Sequence, residues 1–448
     1  MLDPQAATAL ASALVDRAIK AGATAADAIY VGDRSTSVSV RMGALEDVGS
    51  AEGKKVGLRL FLGQQVATVA GSDLGQESLA TLVERGMAMA REATPDDYAG
   101  LAPADLLASG VPAELELYDA EEPDPANLKA RALDAEGAAL AVPGVTNSSG
   151  AGASHSAHVV ALATSGGFAS GYRSSRHGVS ASVIAGDGAG MQRDHDWHSV
   201  RQLGDLDDAR TIGRRAGERA VARLNSGKPK PGRYPVIFDP RVSNGLLMHF
   251  TGAISGSSVA RGTTFLKDML GAQLFAPGVT ISDDPLRVRG LRSHPFDGEG
   301  LRVARTDLVS DGRLNQWIAE SASARQLGIQ PTGHAVRGAG GAPFVSPSNL
   351  WIEPGQRSRA DLLAAFPEAL LVIELIGQGV NGLTGDYSRG AVGFMVRGGA
   401  ICEAVSEVTI ASNLKEMFAT LEPGSDFELR HGIDAPTILI PEMTIAAA

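Results

Sequence analysis

The chain has 448 residues, too many for one ordinary hydrophobic core, so two or three domains are expected. Its apolar content of 44% supports buried cores, and no apolar run approaches the ~20 residues that a membrane-spanning helix needs. A net charge of −11, with no Lys/Arg cluster beyond Lys228-Pro-Lys-Pro-Gly-Arg233, argues against nucleic acid as a partner, and a single cysteine excludes an internal disulfide framework.

In chain order, Asp3 can cap a helix that has Pro4 at its first position. Leu10, Leu14, Ala18 and Ile19 form its apolar face, and Gly22 stops it. From Asp27 to Ala70 the pattern changes to strands. Val38, Val40 and Met42 alternate with polar residues, and Val56 to Val69 reads as a hairpin turned at Gly63-Gln64. A second helix, from Leu74 to about Ala93, turns Leu79, Leu82, Val83 and Met87 inward. Residues 1–93 therefore read as an N-terminal α+β domain.

Residues 94–124 are rich in Pro, Asp and Ala and read as an exposed acidic excursion. Asp124-Pro125 opens a helix to about Ala141, short strands follow between Val145 and Val200, and a helix over 206–225 ends near Gly227. This gives a middle α+β region, 94–227, closed by the linker Lys228-Pro-Lys-Pro-Gly. Residues 232–448 read as a strand-rich C-terminal domain with short helices near 239–255, 262–272 and 359–366. The fold class is α+β, a helix–sheet–helix N-terminal domain followed by a strand-rich C-terminal one. With no basic-then-apolar leader at Met1-Leu-Asp-Pro-Gln and one cysteine, a reducing cytoplasm is the expected location.

The densest local signal is Ile376-Gly-Gln-Gly-Val-Asn-Gly-Leu-Thr-Gly-Asp-Tyr-Ser-Arg-Gly-Ala-Val-Gly-Phe394, a glycine-studded run between two apolar strands. Glycine lets another backbone come close, so the run reads as a shaped loop facing a ligand or partner, with a plain sharp turn as the alternative. Gly377, Gly379, Asn381, Gly382, Asp386, Tyr387, Ser388 and Arg389 are the candidate groove or interface residues, and His334 is a further candidate. Glycine-rich edges also permit a peptide to add as an extra strand. The run matches a dinucleotide fingerprint only as a string, because Leu-Thr-Gly stands where a helix should begin.

Histidines give little. His195 and His198 lie three apart at a strand end, as do His155 and His158, and that spacing sends side chains to opposite faces. His195 and His198 read as a solvated surface pair, Asp297 and Glu299 as two solvated carboxylates of a glycine-rich turn, and Cys402 as a small buried hydrophobe.

The glycine run, together with Ser323-Ala-Arg-Gln-Leu-Gly-Ile-Gln-Pro-Thr-Gly-His334 and Val405-Ser-Glu-Val-Thr-Ile-Ala-Ser-Asn-Leu414, closely resembles the TldD/PmbA family. These are bacterial and archaeal proteins described as modulators of DNA gyrase and as zinc metalloproteases. The resemblance covers nearly the whole chain, is weaker before about residue 230, and points to the PmbA branch, also called TldE.

Zinc-bearing members resemble one another in a His-Glu-x-x-x-His segment and a C-terminal cysteine ligand. The matching segment here, Leu247-Met-His-Phe-Thr-Gly-Ala-Ile-Ser-Gly256, keeps His249. Phe250 stands where the glutamate belongs, Ile254 where the second histidine belongs, and the tail Arg430 to Pro441 has no cysteine. The resemblance thus implies a chain with no catalytic residues and no bound cofactor. It would pair with a zinc-bearing TldD-type subunit in a heteromeric protease acting on unfolded peptides and small proteins, and form a homodimer when alone. Two other readings stay open. One is an independent metallopeptidase with a displaced site, such as His195 and His198 with a carboxylate. The other is a regulatory protein-binding modulator of the gyrase type.

Overall fold

The computed structural model describes residues 1–110 and 113–447. The first helix, α1 (Pro4–Lys20), begins as its cap dictates, with the Asp3 carboxylate accepting from the Ala6 N–H at 2.9 Å. It is followed by β1 (Ala25–Arg41), β2 (Ala44–Leu62), β3 (Gln65–Gly71) and α2 (Gln76–Glu92), with the β2–β3 turn at Gly63-Gln64. Next come α3 (Pro125–Leu140), β4 (Val145–Thr164), β5 (Ala169–Ala185), β6 (Gln192–Val200) and α4 (Ala209–Ala222).

These strands form one antiparallel six-stranded sheet in the order β3-β2-β1-β4-β5-β6. β1 pairs with β4 from Asp27↔Thr164 to Val40↔Ala151, so strands on both sides of the 93/94 division share one sheet. Two helix pairs cover one face of it. α1 and α2 seal one end with Leu14, Leu58, Leu60 and Leu82, and α3 and α4 seal the other with Leu128, Ile212 and Val183. Alanines at alternate positions of β4 (Ala151, Ala153, Ala161, Ala163) let the helices lie close. α3 and α4 touch so tightly that a Cβ at Gly213 would lie 1.8 Å from the Ala135 carbonyl oxygen.

The C-terminal part holds β7 (Gly232–Phe238), α5 (Pro240–Ala253), α6 (Gly256–Ala260), β8 (Ile281–Asp284), β9 (Thr306–Ser310), β10 (Arg313–Leu314), α7 (Ser321–Leu327), β11 (Ala335–Val336) and β12 (Phe344–Val345). After these follow β13 (Asn349–Ile352), α8 (Arg359–Leu363), β14 (Glu368–Ile376), β15 (Asp386–Arg397), β16 (Ala400–Asn413), α9 (Leu414–Thr420), β17 (Glu422–Pro423), β18 (Ile433–Asp434) and β19 (Ile438–Ala447). β16, β15, β14, β7 and β19 pair in that order and β19 returns to β16, which closes the strands into a barrel. A small sheet, β10-β9-β8-β13-β18, packs beside it around a shared core.

One expected helix differs. Residues 262–272 form turns, preceded by the short α6. The Thr264 hydroxyl donates to the Ala253 carbonyl and accepts from the Leu266 N–H, and Gly262 and Gly271 take positive φ, so local bonds replace helical ones.

Two polar seams join the sheet to the C-terminal part. In the first, Arg59 donates twice to Asp27 at 2.9 and 2.5 Å, and Arg337 reaches the same carboxylate from the C-terminal side. Burial works against ionising Asp27, but the two guanidiniums outweigh it and hold its carboxyl below the usual range. Arg59 also faces Glu299 at 3.5 Å, and Glu299 accepts from the Ser321 N–H and hydroxyl at 2.8 and 2.7 Å. In the second seam Asp194 accepts from Arg241 at 2.6 Å and from Arg223 at 3.3 Å, which ties β6 to the start of α5.

Asp297 and Glu299 are therefore not solvated, as their glycine-rich turn had indicated. They are 2% and 3% exposed, enclosed by the docking of the two parts. Burial, with the Glu299 charge, pushes the Asp297 carboxyl up to about 7 even though it accepts three backbone N–H bonds. The folded carboxyl thus holds its proton to about pH 7, the unfolded one only to its ordinary 3.8, and the folded state binds more protons between them. Stability from this group is fully present below the lower value and is lost as pH rises to 7. Asp297→Asn is expected to flatten that part of the slope, measured by urea unfolding at several pH values between 4 and 8; an unchanged slope would refute the assignment.

Candidate functional site

Helix α5 starts behind the Asp239 carboxylate, which accepts from the Arg241 N–H at 3.1 Å, with Pro240 in its first turn. Leu246, Leu247, Phe250 and Ala253, at helical spacing, turn into the core. His249 stands half-buried on the shoulder of this face, edge-on to the Tyr387 ring at 6.0 Å. Phe250 is fully enclosed, its ring 5.3 Å from Phe275 and 6.3 Å from Phe418, and Ile254 lies in the same core. Burial and the nearby Arg389 charge push the His249 pKa down, so the imidazole is neutral near pH 7. Burial pushes the Tyr387 phenol up to about 12.

The glycine run crosses from β14 to β15 beside this pair. Its loop folds on itself: the Ser388 N–H donates to the Gly379 carbonyl at 2.6 Å, and Val380 bridges Tyr387. A Cβ at Gly379 would lie 2.0 Å from the Ser388 oxygen, so only glycine fits there. The Asn381 side chain accepts from the Leu383 N–H, Thr384 donates to Asp386, and Asn413 donates to both Asp386 and the Thr384 carbonyl. The edge at Gly379 is already satisfied, so an added strand finds no free pairing row at that point.

Gly377, Gly379, Asn381, Gly382, Asp386 and Ser388 are exposed. With Thr263 and Leu383, all but Gly377 line an open depression of about 660 Å³. Arg389 is half-buried and its Nε donates to the Ile376 carbonyl at 3.4 Å. Two expected lining residues are not there. Tyr387 is 2% exposed because β15 turns it into the barrel core. His334 is 5% exposed, with Nδ1 2.9 Å from the Thr332 carbonyl and Nε2 3.5 Å from Asp283, and its place is structural.

Models of the PmbA/TldA metallopeptidase match in three successive pieces: domain 1 over residues 26–90, the central domain over 118–224 and the C-terminal domain over 231–447. The chain belongs to the PmbA/TldD family. Metalloprotease PmbA of Escherichia coli O157:H7 is 39% identical over 92% of this chain and 89% of its own length. The PmbA homologue of Haemophilus influenzae is 37% identical over 96% and 94%. Among solved structures, a Bacteroides thetaiotaomicron protein described as a candidate modulator of DNA gyrase superposes with a TM-score of 0.90 at 24% identity, covering 98% of both chains. TldE from Thermococcus kodakarensis does so with 0.86 at 20%, over 97% of this chain and 99% of its own. At those identities the structures speak for the fold alone.

A catalytic zinc in this PmbA/TldD chain would need three protein ligands and an open position. The α5 segment offers one imidazole nitrogen, two carbon side chains turned into the core, and a cation nearby, so its residues do not fit the metal. Nor does the displaced pair come together. His195 is exposed, whereas His198 is buried on the opposite face with Nδ1 accepting from the Asp207 N–H at 3.1 Å, so the two are not the solvated pair expected. Among the described residues, no three His, Cys, Asp or Glu side chains converge as metal ligands do. Cys402, expected inside, is exposed.

The structure also shows a pair that sequence spacing missed. His155 and His177 face each other across β4 and β5, buried, with ring centroids 4.8 Å apart. Burial and the neighbouring imidazole push His177 down to about 4. Only strand register reveals it, and register is not written in either strand alone.

Phe250→Glu with Ile254→His, the change that restores the pattern the resemblance implies for zinc-bearing members, would place a carboxylate against the stacked Phe275 and Phe418 rings. It is expected to destabilise the C-terminal part by several kcal/mol and not to yield a zinc site, read by chemical denaturation and metal analysis. Tyr387→Phe removes a buried hydroxyl that has no hydrogen-bond partner, and should raise stability by about 1 kcal/mol in the same assay.

Proposed function

We propose that this chain is a metal-site-deficient PmbA/TldE-type subunit of a two-chain peptidase that processes unfolded peptides and small proteins. A TldD-type partner supplies the zinc, the general base and the attacking water. This chain binds no cofactor, forms part of the substrate passage and supports the active partner. The observation that carries the reading is the conversion of ligand positions into core: Phe250 and Ile254 fill the space around Phe275 and Phe418 and cannot swing out without leaving a cavity. The exposed loop from Gly377 to Ser388, with Leu383 and the open depression beside it, is the surface offered to substrate or partner.

The assembly and a cytoplasmic location belong to the same proposal. The name TldE on a neighbour of equal length and fold supports pairing with a TldD-type chain, and no helix among the described residues is long and apolar enough to cross a membrane. The acidic surface suits contact with protein more than with DNA.

Metal analysis and cleavage of casein by each purified chain and by their mixture test the proposal. The expected result is far less than one zinc per chain here, no cleavage by this chain alone, and cleavage by the mixture that chelators abolish. Stoichiometric zinc that survives dialysis, or cleavage by the isolated chain, would overturn it.

A further inference from the structure

Beside the second seam, where β6 and α4 meet the start of α5, a cavity of about 320 Å³ opens between the middle region and the C-terminal part. That is the small end of the range for ligand sites, roughly 300–1,000 Å³. Asp239, Pro240 and Arg241 line it, at the opposite end of α5 from Phe250 and Ile254, so it is separate from the degenerate metal position.

Most side chains around the cavity are charged, and the charges alternate. On the β6–α4 side one row of ion pairs runs Arg219–Asp196 at 2.8 Å, Asp196–Arg215 at 3.9 Å, Arg215–Asp207 at 3.0 Å and Asp207–Arg430 at 2.9 Å. On the C-terminal side Asp239, Arg359 and Asp426 alternate likewise, at 2.6 and 3.8 Å. The lining holds five arginines and five carboxylates, so its formal charge is zero. A simple anion or cation there would meet as many like charges as opposite ones.

Several polar groups of the lining are left with bonding capacity. Asp196 is 7% exposed, and its Oδ2 is buried with no hydrogen-bond partner among the described residues. The Arg215 Nη1 at 3.9 Å is too distant to serve, and a buried carboxylate oxygen that accepts nothing is costly. Glu428 is exposed at the rim and has no ion pair among the described residues. Arg219 and Arg430 each bond through a single terminal nitrogen, which leaves further N–H groups on both. Acceptors and donors are thus open side by side. The wall that carries Arg430 is already shaped: Asp434 accepts from the His431 and Gly432 N–H groups at 2.9 Å each, and the His431 ring lies 4.3 Å from Trp197.

We infer that this cavity binds a small zwitterion, an α-amino acid or dipeptide with both ends free, its ammonium at Asp196 Oδ2 and Glu428 and its carboxylate at Arg219 and Arg430. The charge pattern gives the zwitterion. That it is a peptide fragment rests on the function proposed above, because peptide cleavage releases such fragments. A ligand here touches both the β6–α4 side and the C-terminal part, and so braces the seam that Asp194 and Arg241 form.

Isothermal titration calorimetry of the full chain with L-alanyl-L-alanine and with L-alanine tests the inference. At least one should bind with a Kd of about 1 mM or tighter. N-acetyl-alanyl-alanine lacks the ammonium and alanyl-alanine amide lacks the carboxylate, and each should bind roughly tenfold more weakly or worse. Asp196→Asn should weaken binding by a similar factor. Because Asp196 also pairs with Arg219, Glu428→Gln at the exposed rim is the second variant, and circular dichroism checks the fold of both. No binding of either probe, capped peptides or inorganic phosphate that bind as tightly as the free dipeptide, or unchanged affinity in both variants would each overturn the inference. These titrations read neither zinc nor cleavage, so this site and the two-chain peptidase fail separately.

Discussion

Asp27 lies at the base of the long sheet with Arg59 from a neighbouring strand on one side and Arg337, from the C-terminal part, on the other. A carboxylate so enclosed is stable only while both guanidiniums are present; removing one partner of a buried pair costs about 3–5 kcal/mol. The C-terminal part is therefore held to one position on the sheet face. Gly57 sharpens the constraint, because a Cβ there would strike the Ala339 carbonyl. The same docking encloses Asp297 and Glu299, and with Asp194 and Arg241 it fixes where α5 begins.

That fixed helix decides the chemistry of the candidate site. A residue on its inner face must serve the core, and Phe250 does so with two aromatic neighbours. His249 on the shoulder keeps an imidazole near the surface but has a cation and a protonated phenol for company. Histidine alone, without a second donor, is a polar side chain at a helix edge. The loop beside it has a different character: its own side chains satisfy its backbone, so its shape is set before anything binds.

Local features were legible in the sequence. The Asp3-Pro4 and Asp124-Pro125 caps, the Gly63-Gln64 turn and the opposite faces of His195 and His198 follow from rules that act over a few residues. The carbon side chains of Phe250 and Ile254 were equally legible, because identities can be read without coordinates. What was not legible depends on distant partners. Asp297 and Glu299 sit in a turn of solvent-loving composition, and residues distant in sequence, Arg59 on one side and Ser321 and Ala335 on the other, remove the solvent. Tyr387 stands among exposed neighbours, and alternation along β15 alone turns it inward once that strand joins the barrel. The shared sheet that spans residue 93 and the return of β19 to β16 are equally long-range, and no periodicity announces them.

The closed barrel has a consequence for synthesis. Its first strand, β7, is made some two hundred residues before β19, the strand that seals it on one side and β16 on the other. At about 5–20 residues per second, a ribosome leaves β7 without its final neighbour for on the order of ten seconds or more. Over that interval the N-terminal sheet already has all its strands, while the later half exists as bare edges that can join with those of other nascent chains. The order in which the gene is read thus sets how long those edges stay open.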